Sequence, residues 1–108
     1  MSDALIDKLR RRFDPLAASG MYEVFQFHFT DADDHYLVVD DGRLEIHEGE
    51  HDKPSVSLNM SSATLKGVLS GEINGMNAFM TGRLKATGNV MLATRLTRLF
   101  ADYKDSER

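Results

Sequence analysis

The stretch from Gly71 to Phe100 restricts the fold more than any other part of the chain, because the spacing of its apolar residues changes within it. Asn74 suits a helix N-cap and Gly82 a helix end, so the residues between them predict a short helix. Its apolar residues, spaced i, i+3 and i+4, are Met76, Phe79 and Met80. This spacing predicts one apolar face on the helix.

A short strand and a last helix are predicted after this turn. Leu84 and Ala86 alternate with polar neighbours, which is typical of a half-buried strand. Gly88 then interrupts the strand, and Asn89 is predicted to cap the helix. The apolar stripe of that helix, spaced i, i+4, i+7, i+8 and i+11, consists of Leu92, Leu96, Leu99, Phe100 and Tyr103.

The first half of the chain predicts a helix and an antiparallel meander. The helix ends at Asp14-Pro15, and its stripe consists of Leu5, Leu9 and Phe13. Residues 22–29 alternate as a strand, with three phenylalanines on one face: Phe25, Phe27 and Phe29. A second strand covers residues 35–40, and Asp41-Gly42 indicates a hairpin turn into a third strand.

A fourth strand and a helix complete the pattern. The strand carries Val56, Leu58 and Met60 on one face, and Ser61 can cap the following helix, which ends before Gly71. The predicted order is helix, four strands, two helices, strand, helix. Helices that follow a run of strands indicate an α+β fold, with the helices on one face of a mostly antiparallel sheet.

Composition sets limits on function. The 108 residues predict one domain covering residues 1–108, and the 42% hydrophobic and 28% charged content is that of an ordinary soluble protein. The start of the chain lacks the pattern of a secretory signal, and the chain has no cysteine, so we expect a cytoplasmic protein without disulfides.

The charge of the chain argues against a nucleic-acid partner. The net charge is -4, whereas binding to phosphates needs a basic surface. The local exception, Arg10-Arg11-Arg12, is explained by the last turn of a helix, where cations offset the dipole. Transient contact of these arginines with an anionic lipid surface is the alternative.

Catalytic and metal-binding patterns are not found in the sequence. The four histidines have no recognised metal spacing, and neither a nucleophile elbow nor a phosphate-binding glycine loop occurs. We therefore predict no catalytic residue, no metal and no cofactor. An enzyme that uses His28 or His47 with a nearby carboxylate stays open as an alternative, although the strand pattern does not indicate that such groups converge.

The residues after Gly71 resemble a motif of a known family. Three segments carry it in order and without a gap: Gly71-Glu72-Ile73-Asn74, Ala78-Phe79-Met80-Thr81-Gly82-Arg83-Leu84-Lys85 and Thr87-Gly88-Asn89. Together with the leucine-containing helix that follows, they are similar to the C-terminal motif of the sterol carrier protein 2 family. Gly75 departs from the motif, since proline is common there in the family, and glycine leaves the start of the helical turn looser.

The resemblance implies a five-stranded sheet covered by helices, with a hydrophobic cavity or tunnel between the layers. It implies a non-catalytic protein that encloses a fatty acid, an acyl-CoA, a sterol-like lipid or an isoprenoid lipid. On the sheet, the predicted ligand contacts are Phe25, Phe27, Phe29 and Leu84. On the helices, they are Leu65, Leu69, Met76, Phe79, Met80, Leu92, Leu96 and Phe100. Methionines are frequent in this half of the chain, and their flexible side chains suit guests of variable shape.

Two further interpretations remain open. Apolar residues at helical spacing are found in every folded core, so ordinary packing explains them without a ligand. The same apolar face also suits a homodimer, or an accessory module that docks on a lipid-modifying enzyme without a ligand of its own.

Overall fold

A computed structural model describes residues 3–100, and these form four α-helices, one 3₁₀ helix and five strands. In chain order the elements are α1 (Asp3–Arg12), β1 (Tyr22–Phe29), β2 (His35–Asp40), β3 (Arg43–Glu48), β4 (Val56–Met60), α2 (Ser62–Ser70), α3 (Gly75–Met80), β5 (Lys85–Gly88), the 3₁₀ helix (Val90–Arg95) and α4 (Leu96–Leu99). The α+β class and the element order predicted above are confirmed.

The sheet has the strand order β3-β2-β1-β4-β5. The pairs β3·β2, β2·β1 and β4·β5 are antiparallel, and β1·β4 is parallel. The predicted meander of three strands is therefore confirmed, and β4 then crosses over to the free side of β1. The result is a five-stranded, mostly antiparallel sheet.

One face of the sheet carries the core. Phe25, Phe27 and Phe29 are buried on β1, next to apolar residues of β2 and β4. Leu5 and Leu9 of α1, and Leu96 and Leu99 of α4, belong to the same buried cluster. The other face is polar and carries Gln26, His28 and Tyr36, so the two faces of β1 differ sharply in chemistry.

The last helix differs from the prediction. It begins as a 3₁₀ helix and becomes α-helical only at Leu96, and the Asn89 side chain makes no capping hydrogen bond. The reason is that the Asn89 amide donates to the Ser55 carbonyl at 2.9 Å, which ties its backbone to the end of the sheet. The described part of the predicted stripe is nevertheless buried: Leu92, Leu96, Leu99 and Phe100. Tyr103, which the prediction included, lies outside the described residues.

The helices that the structure describes are short. None of them has both the length and the apolar character that a membrane-spanning helix needs.

Candidate functional site

An apolar groove of about 400 Å³ lies over the β4–β5 side of the sheet, against α2, α3 and the last helices. Its floor is provided by strand residues and by Leu84, which precedes β5: Met60, Leu84 and Ala86. Its helical sides are formed by Leu65, Val68, Gly75, Met76, Phe79, Val90, Met91, Ala93, Thr94, Leu96 and Thr97. Only Thr94 and Thr97 among these described lining residues have polar side chains.

Capping hydrogen bonds position the two helices on one side of the groove. The Ser61 hydroxyl accepts from the Thr64 amide at 3.1 Å and begins α2. The Asn74 side chain accepts from the Asn77 amide at 3.1 Å and begins α3. Both caps were predicted from the sequence and are confirmed, so the walls of the groove start where local chemistry places them.

The end of α3 is joined directly to the floor of the groove. The Leu84 amide donates to the carbonyl of Ala78 at 3.0 Å, and Ala78 is buried. This bond holds the turn after α3 against the start of β5. Phe79 and Leu84 are thereby brought to the same groove although four residues lie between them in the sequence.

The carboxylate of Asp31 fixes the start of α2 to the turn between β1 and β2. The Ser62 hydroxyl donates to it at 2.7 Å and the Ser62 amide at 2.9 Å. The hydroxyl bond, followed by the amide bond, lowers the pKa of Asp31 from its ordinary value of 3.8, because both bonds favour the ionised form. The first turn of α2, which forms one wall of the groove, is thus held by a charge-assisted hydrogen bond.

The mouth of the groove is apolar and exposed. Phe79 is 48% exposed and Met91 is 71% exposed, and both line the groove. The other exposed large apolar side chains of this region are Met76, Met80 and Val90. The groove is therefore open to solvent, and the enclosed cavity or tunnel that the resemblance implied is not seen in the described part of the chain.

Five of the twelve ligand contacts predicted from the sequence line this groove: Leu65, Met76, Phe79, Leu84 and Leu96. Of the other seven, Phe25, Phe27, Phe29, Leu69, Leu92 and Phe100 are buried outside the lining, and Met80 is exposed beside it. The phenylalanine face of β1 thus lies in the core, whereas the groove lies nearer the edge of the sheet.

The sheet register explains the position of these phenylalanines. Phe29 is paired with Met60, so it lies one strand away from that part of the groove floor. Phe27 is paired with Leu58, and Leu58 is paired with Ala86, so Phe27 lies two strands away from Ala86. Strands are about 4.8 Å apart, which makes that separation about 10 Å. Alternation along a strand gives the face of a residue, but the strand order decides how far it lies from the groove.

Several lining residues were missed because the last helix starts as a 3₁₀ helix. Residues at i and i+3 eclipse each other in a 3₁₀ helix, unlike the staggered stripe of an α-helix. Two rows with this spacing face the groove, namely Val90, Ala93 and Leu96, and Met91, Thr94 and Thr97. The sequence offered a signal for Met60 and Met91, which belong to the methionine-rich half, but none for the two threonines.

Histidine–carboxylate pairs lie on the opposite face of the sheet. His28 Nδ1 is 2.9 Å from Asp34 Oδ2, and His47 Nε2 is 2.9 Å from Glu45. Each of these histidines therefore contacts a carboxylate, which the strand pattern did not indicate. The pairs do not touch the groove, however, because they belong to the polar face.

Fold and groove together define a class of protein: a small α+β domain with an apolar groove between a mixed sheet and its helices. The chain belongs to the SCP-2 sterol transfer family, whose model matches residues 5–101. The resemblance noted in the sequence is thereby confirmed. Membership of this family indicates a lipid-binding or lipid-transfer domain.

Curated relatives include this domain in much longer chains. Peroxisomal multifunctional enzyme type 2 of Mus musculus is 31% identical over 85 residues, which is 74% of this chain and 12% of that protein. Stomatin-like protein 1 of Mus musculus is 27% identical over 99 residues, which is 89% of this chain and 22% of that protein. The chain therefore spans less than a quarter of the length of these two relatives.

Solved structures share the fold. Palmitated SCP2L2 from Aedes aegypti superposes with a TM-score of 0.67 at 22% identity, covering 94% of this chain and 96% of that one. The sec-alkylsulfatase Pisa1 from Pseudomonas sp. superposes with a TM-score of 0.80 at 22% identity, covering 85% of this chain and 15% of the enzyme. At this identity the likeness shows the fold alone.

Proposed function

We propose that this domain binds one apolar or amphiphilic lipid, such as a fatty acid, an acyl-CoA, a sterol-like lipid or an isoprenoid, in the groove beside β5, and shields it from water. The observation that carries the proposal is the chemistry of the lining, which is apolar except for two threonine hydroxyls. Its volume of about 400 Å³ lies within the range of small-molecule sites. The palmitate named for the similar Aedes aegypti structure fits the same class of ligand.

The affinity expected for a long acyl chain is that of a carrier, which must both bind and release its lipid. Each buried methylene contributes about 0.8 kcal/mol, so a long acyl chain gains on the order of 10 kcal/mol before costs. Lost motion of the ligand and of the groove side chains subtracts several kcal/mol. The remainder corresponds to a dissociation constant of roughly micromolar order, which allows both capture and release.

The domain itself is non-catalytic in this proposal. None of the described residues that line the groove has an ionisable side chain, so the lining offers no general acid or base to a bound lipid. The relatives that are enzymes are much longer than this chain. Catalysis in those proteins therefore does not transfer to the groove described above.

Transient contact with an anionic lipid surface is part of the proposal. Residues 61–100 contain five basic residues and one acidic residue, a local charge of +4, although the whole chain has -4. The basic residues, all exposed, are Lys66, Arg83, Lys85, Arg95 and Arg98. All five adjoin groove residues in sequence, so cations and exposed methionines occur in the same part of the chain. Lys85 itself is paired with Asn59, which is paired with His28, so it lies on the polar face of the sheet. The cytoplasm, where such exchange takes place between membranes, is the proposed location.

A groove variant tests the binding site. Phe79→Asp places a charge at the mouth without filling a buried position, so the protein should stay folded and lose uptake of a fluorescent fatty acid. Leu16→Asp is the matched control, because Leu16 is 86% exposed and does not line the groove. Retained uptake in a folded Phe79→Asp protein would contradict the assignment of the site. Mass spectrometry of lipid extracted from protein purified from its own host then identifies the ligand.

A homodimerising or accessory module is the alternative, and the exposed apolar mouth favours it. Met76, Met80 and Met91 present an unpartnered apolar surface that a second protein would also cover. Size-exclusion chromatography with light scattering and native mass spectrometry separate the two functions. A monomer that co-purifies with lipid supports the carrier, whereas a lipid-free dimer supports the module.

A further inference from the structure

Three potential metal ligands from separate parts of the chain meet on the polar face of the sheet. They are His28 on β1, Asp34 in the turn before β2, and Glu50 in the loop after β3. His28 Nδ1 is 2.9 Å from Asp34 Oδ2, and His28 Nε2 is 3.9 Å from Glu50 Oε2. One ligand atom from each residue lies within 4.8 Å of the other two.

The loop that carries Glu50 is held in place from both sides. The Gly49 amide donates to the Asp34 carbonyl at 2.8 Å, so Asp34 and this loop are joined directly. The buried amide of Gln26 donates to the Gly49 carbonyl at 3.0 Å and accepts from the His51 amide at 2.8 Å. Glu50 lies between these two anchors, so its backbone position is fixed while its side chain stays free to turn.

This anchoring network consists of backbone and amide groups and uses none of the three potential ligand groups, of which His28 and Asp34 are paired with each other. Glu50 is 70% exposed, and its contact with His28 is longer than a hydrogen bond. The His28 ring and the Asp34 carboxylate are each about one-third exposed, so an ion can reach them from solvent. A rigid frame with open ligand groups is the arrangement that metal sites require.

We propose that His28, Asp34 and Glu50 bind a divalent transition metal ion of the zinc type, with water completing the coordination. One imidazole nitrogen and two carboxylate oxygens are a ligand set that Zn²⁺ accepts, with bonds of about 2.0–2.2 Å. Such bonds in a tetrahedron separate the ligand atoms by about 3.4 Å. Asp34 faces Nδ1 of His28, whereas the Glu50 contact is to Nε2, and one ion uses only one of these nitrogens. The ion would therefore replace the hydrogen bond between His28 and Asp34, and the exposed Glu50 side chain would turn toward the same nitrogen.

The ion would connect three segments that are far apart in sequence. It would link the end of β1 to the turn after it and to the β3–β4 loop, and so stabilise the polar face of the sheet. The site is on the face opposite the lipid groove and is independent of the proposed lipid function. Its failure in the test below therefore leaves the lipid proposal unaffected, and the reverse also holds.

Calorimetric titration of the untagged protein with ZnCl₂ tests the site. We expect one saturable site whose affinity falls in His28→Gln, Asp34→Asn and Glu50→Gln by more than the roughly tenfold that loss of an outer-shell partner costs. Glu50→Gln is the decisive variant, because its exposed side chain can be changed without disturbing the fold. His47→Gln is the control, since His47 belongs to a histidine–carboxylate pair on the same face that has no third ligand among the described residues.

Two further measurements distinguish a loss of metal binding from a loss of folding. Saturating Zn²⁺ should raise the melting temperature of the wild type by about 5–10 °C and leave that of Glu50→Gln unchanged. Co²⁺, used as a probe, should give the visible absorption of a low-symmetry site in the wild type and not in Glu50→Gln. The proposal is overturned if no saturable Zn²⁺ binding is found, or if Glu50→Gln binds as tightly as the wild type.

Discussion

Gly67 on α2 lies directly against Ile73 in the connection to α3, so closely that a Cβ atom at residue 67 would clash with Cδ1 of Ile73. The Ile73 amide also donates to the Gly67 carbonyl at 2.9 Å. The missing side chain therefore lets the connection fold back over α2. This contact sets the position from which α3 starts, and with it one wall of the groove.

Gly67→Ala is expected to destabilise the protein. Alanine gains up to about 1 kcal/mol in helix propensity, but overpacking at this contact costs about 1–3 kcal/mol. The steric term should win, because Cγ1 of Ile73 at 2.6 Å is also too close and rotation of the terminal methyl group does not relieve it. We expect a net loss of about 1 kcal/mol in the free energy of unfolding, measured by urea denaturation.

A double-mutant cycle identifies the cause of that loss. In an Ile73→Ala background the clash is absent, so Gly67→Ala should become neutral or stabilising. An equal loss in both backgrounds would show that the Gly67–Ile73 contact is not responsible.

Phe25→Leu should separate stability from ligand binding. Phe25 is completely buried under the sheet and does not line the groove. The smaller side chain leaves a cavity, so the free energy of unfolding should fall by about 1–2 kcal/mol. Fatty-acid affinity should stay that of the wild type in the folded protein. A large drop in affinity without unfolding would instead place Phe25 in the ligand site, as the strand pattern predicted.

Asp31→Asn should lower stability at neutral pH and have less effect in acid. The hydrogen bonds from Ser62 lower the pKa of Asp31 below its ordinary value of 3.8, so the folded state favours the carboxylate. Their stabilisation is complete above about pH 4 and is lost as the pH falls through the lowered pKa of the folded state. Melting temperatures of wild type and variant should therefore converge toward about pH 3. Asp33→Asn in the same turn is the control, and parallel melting curves for wild type and Asp31→Asn across this range would contradict the prediction.

Arg95→Gln/Arg98→Gln should weaken binding to vesicles of phosphatidylcholine with phosphatidylserine, because both arginines are exposed on the last helices, next to groove residues. Each basic residue near an anionic surface contributes about 1 kcal/mol, so the partition coefficient should fall by about 30-fold at low salt. Arg10→Gln/Arg11→Gln makes the same charge change on α1 and should have little effect in cosedimentation. If the α1 variant loses binding instead, the arginine cluster and not the groove mouth contacts the membrane.

Much of the fold follows from local rules. Ser61 and Asn74 cap their helices, and the Asp41-Gly42 turn joins β2 to β3, because each depends on chemistry within a few residues. The family motif after Gly71 likewise depends on residues that are contiguous in the chain. The site was predicted less completely, since five of twelve expected contacts line the groove.

By itself, the sequence determined the elements, their apolar faces and the family, because periodicity, caps and turns act over short distances. The tertiary structure decided which apolar residues remain open to a ligand. That choice depends on β4 being inserted between β1 and β5, which places Phe27 in the core. It also depends on the Asn89–Ser55 bond at the start of the 3₁₀ helix, whose threefold spacing lines up Met91 with Thr94 at the groove. Both are contacts between segments more than twenty-five residues apart, which no local pattern specifies.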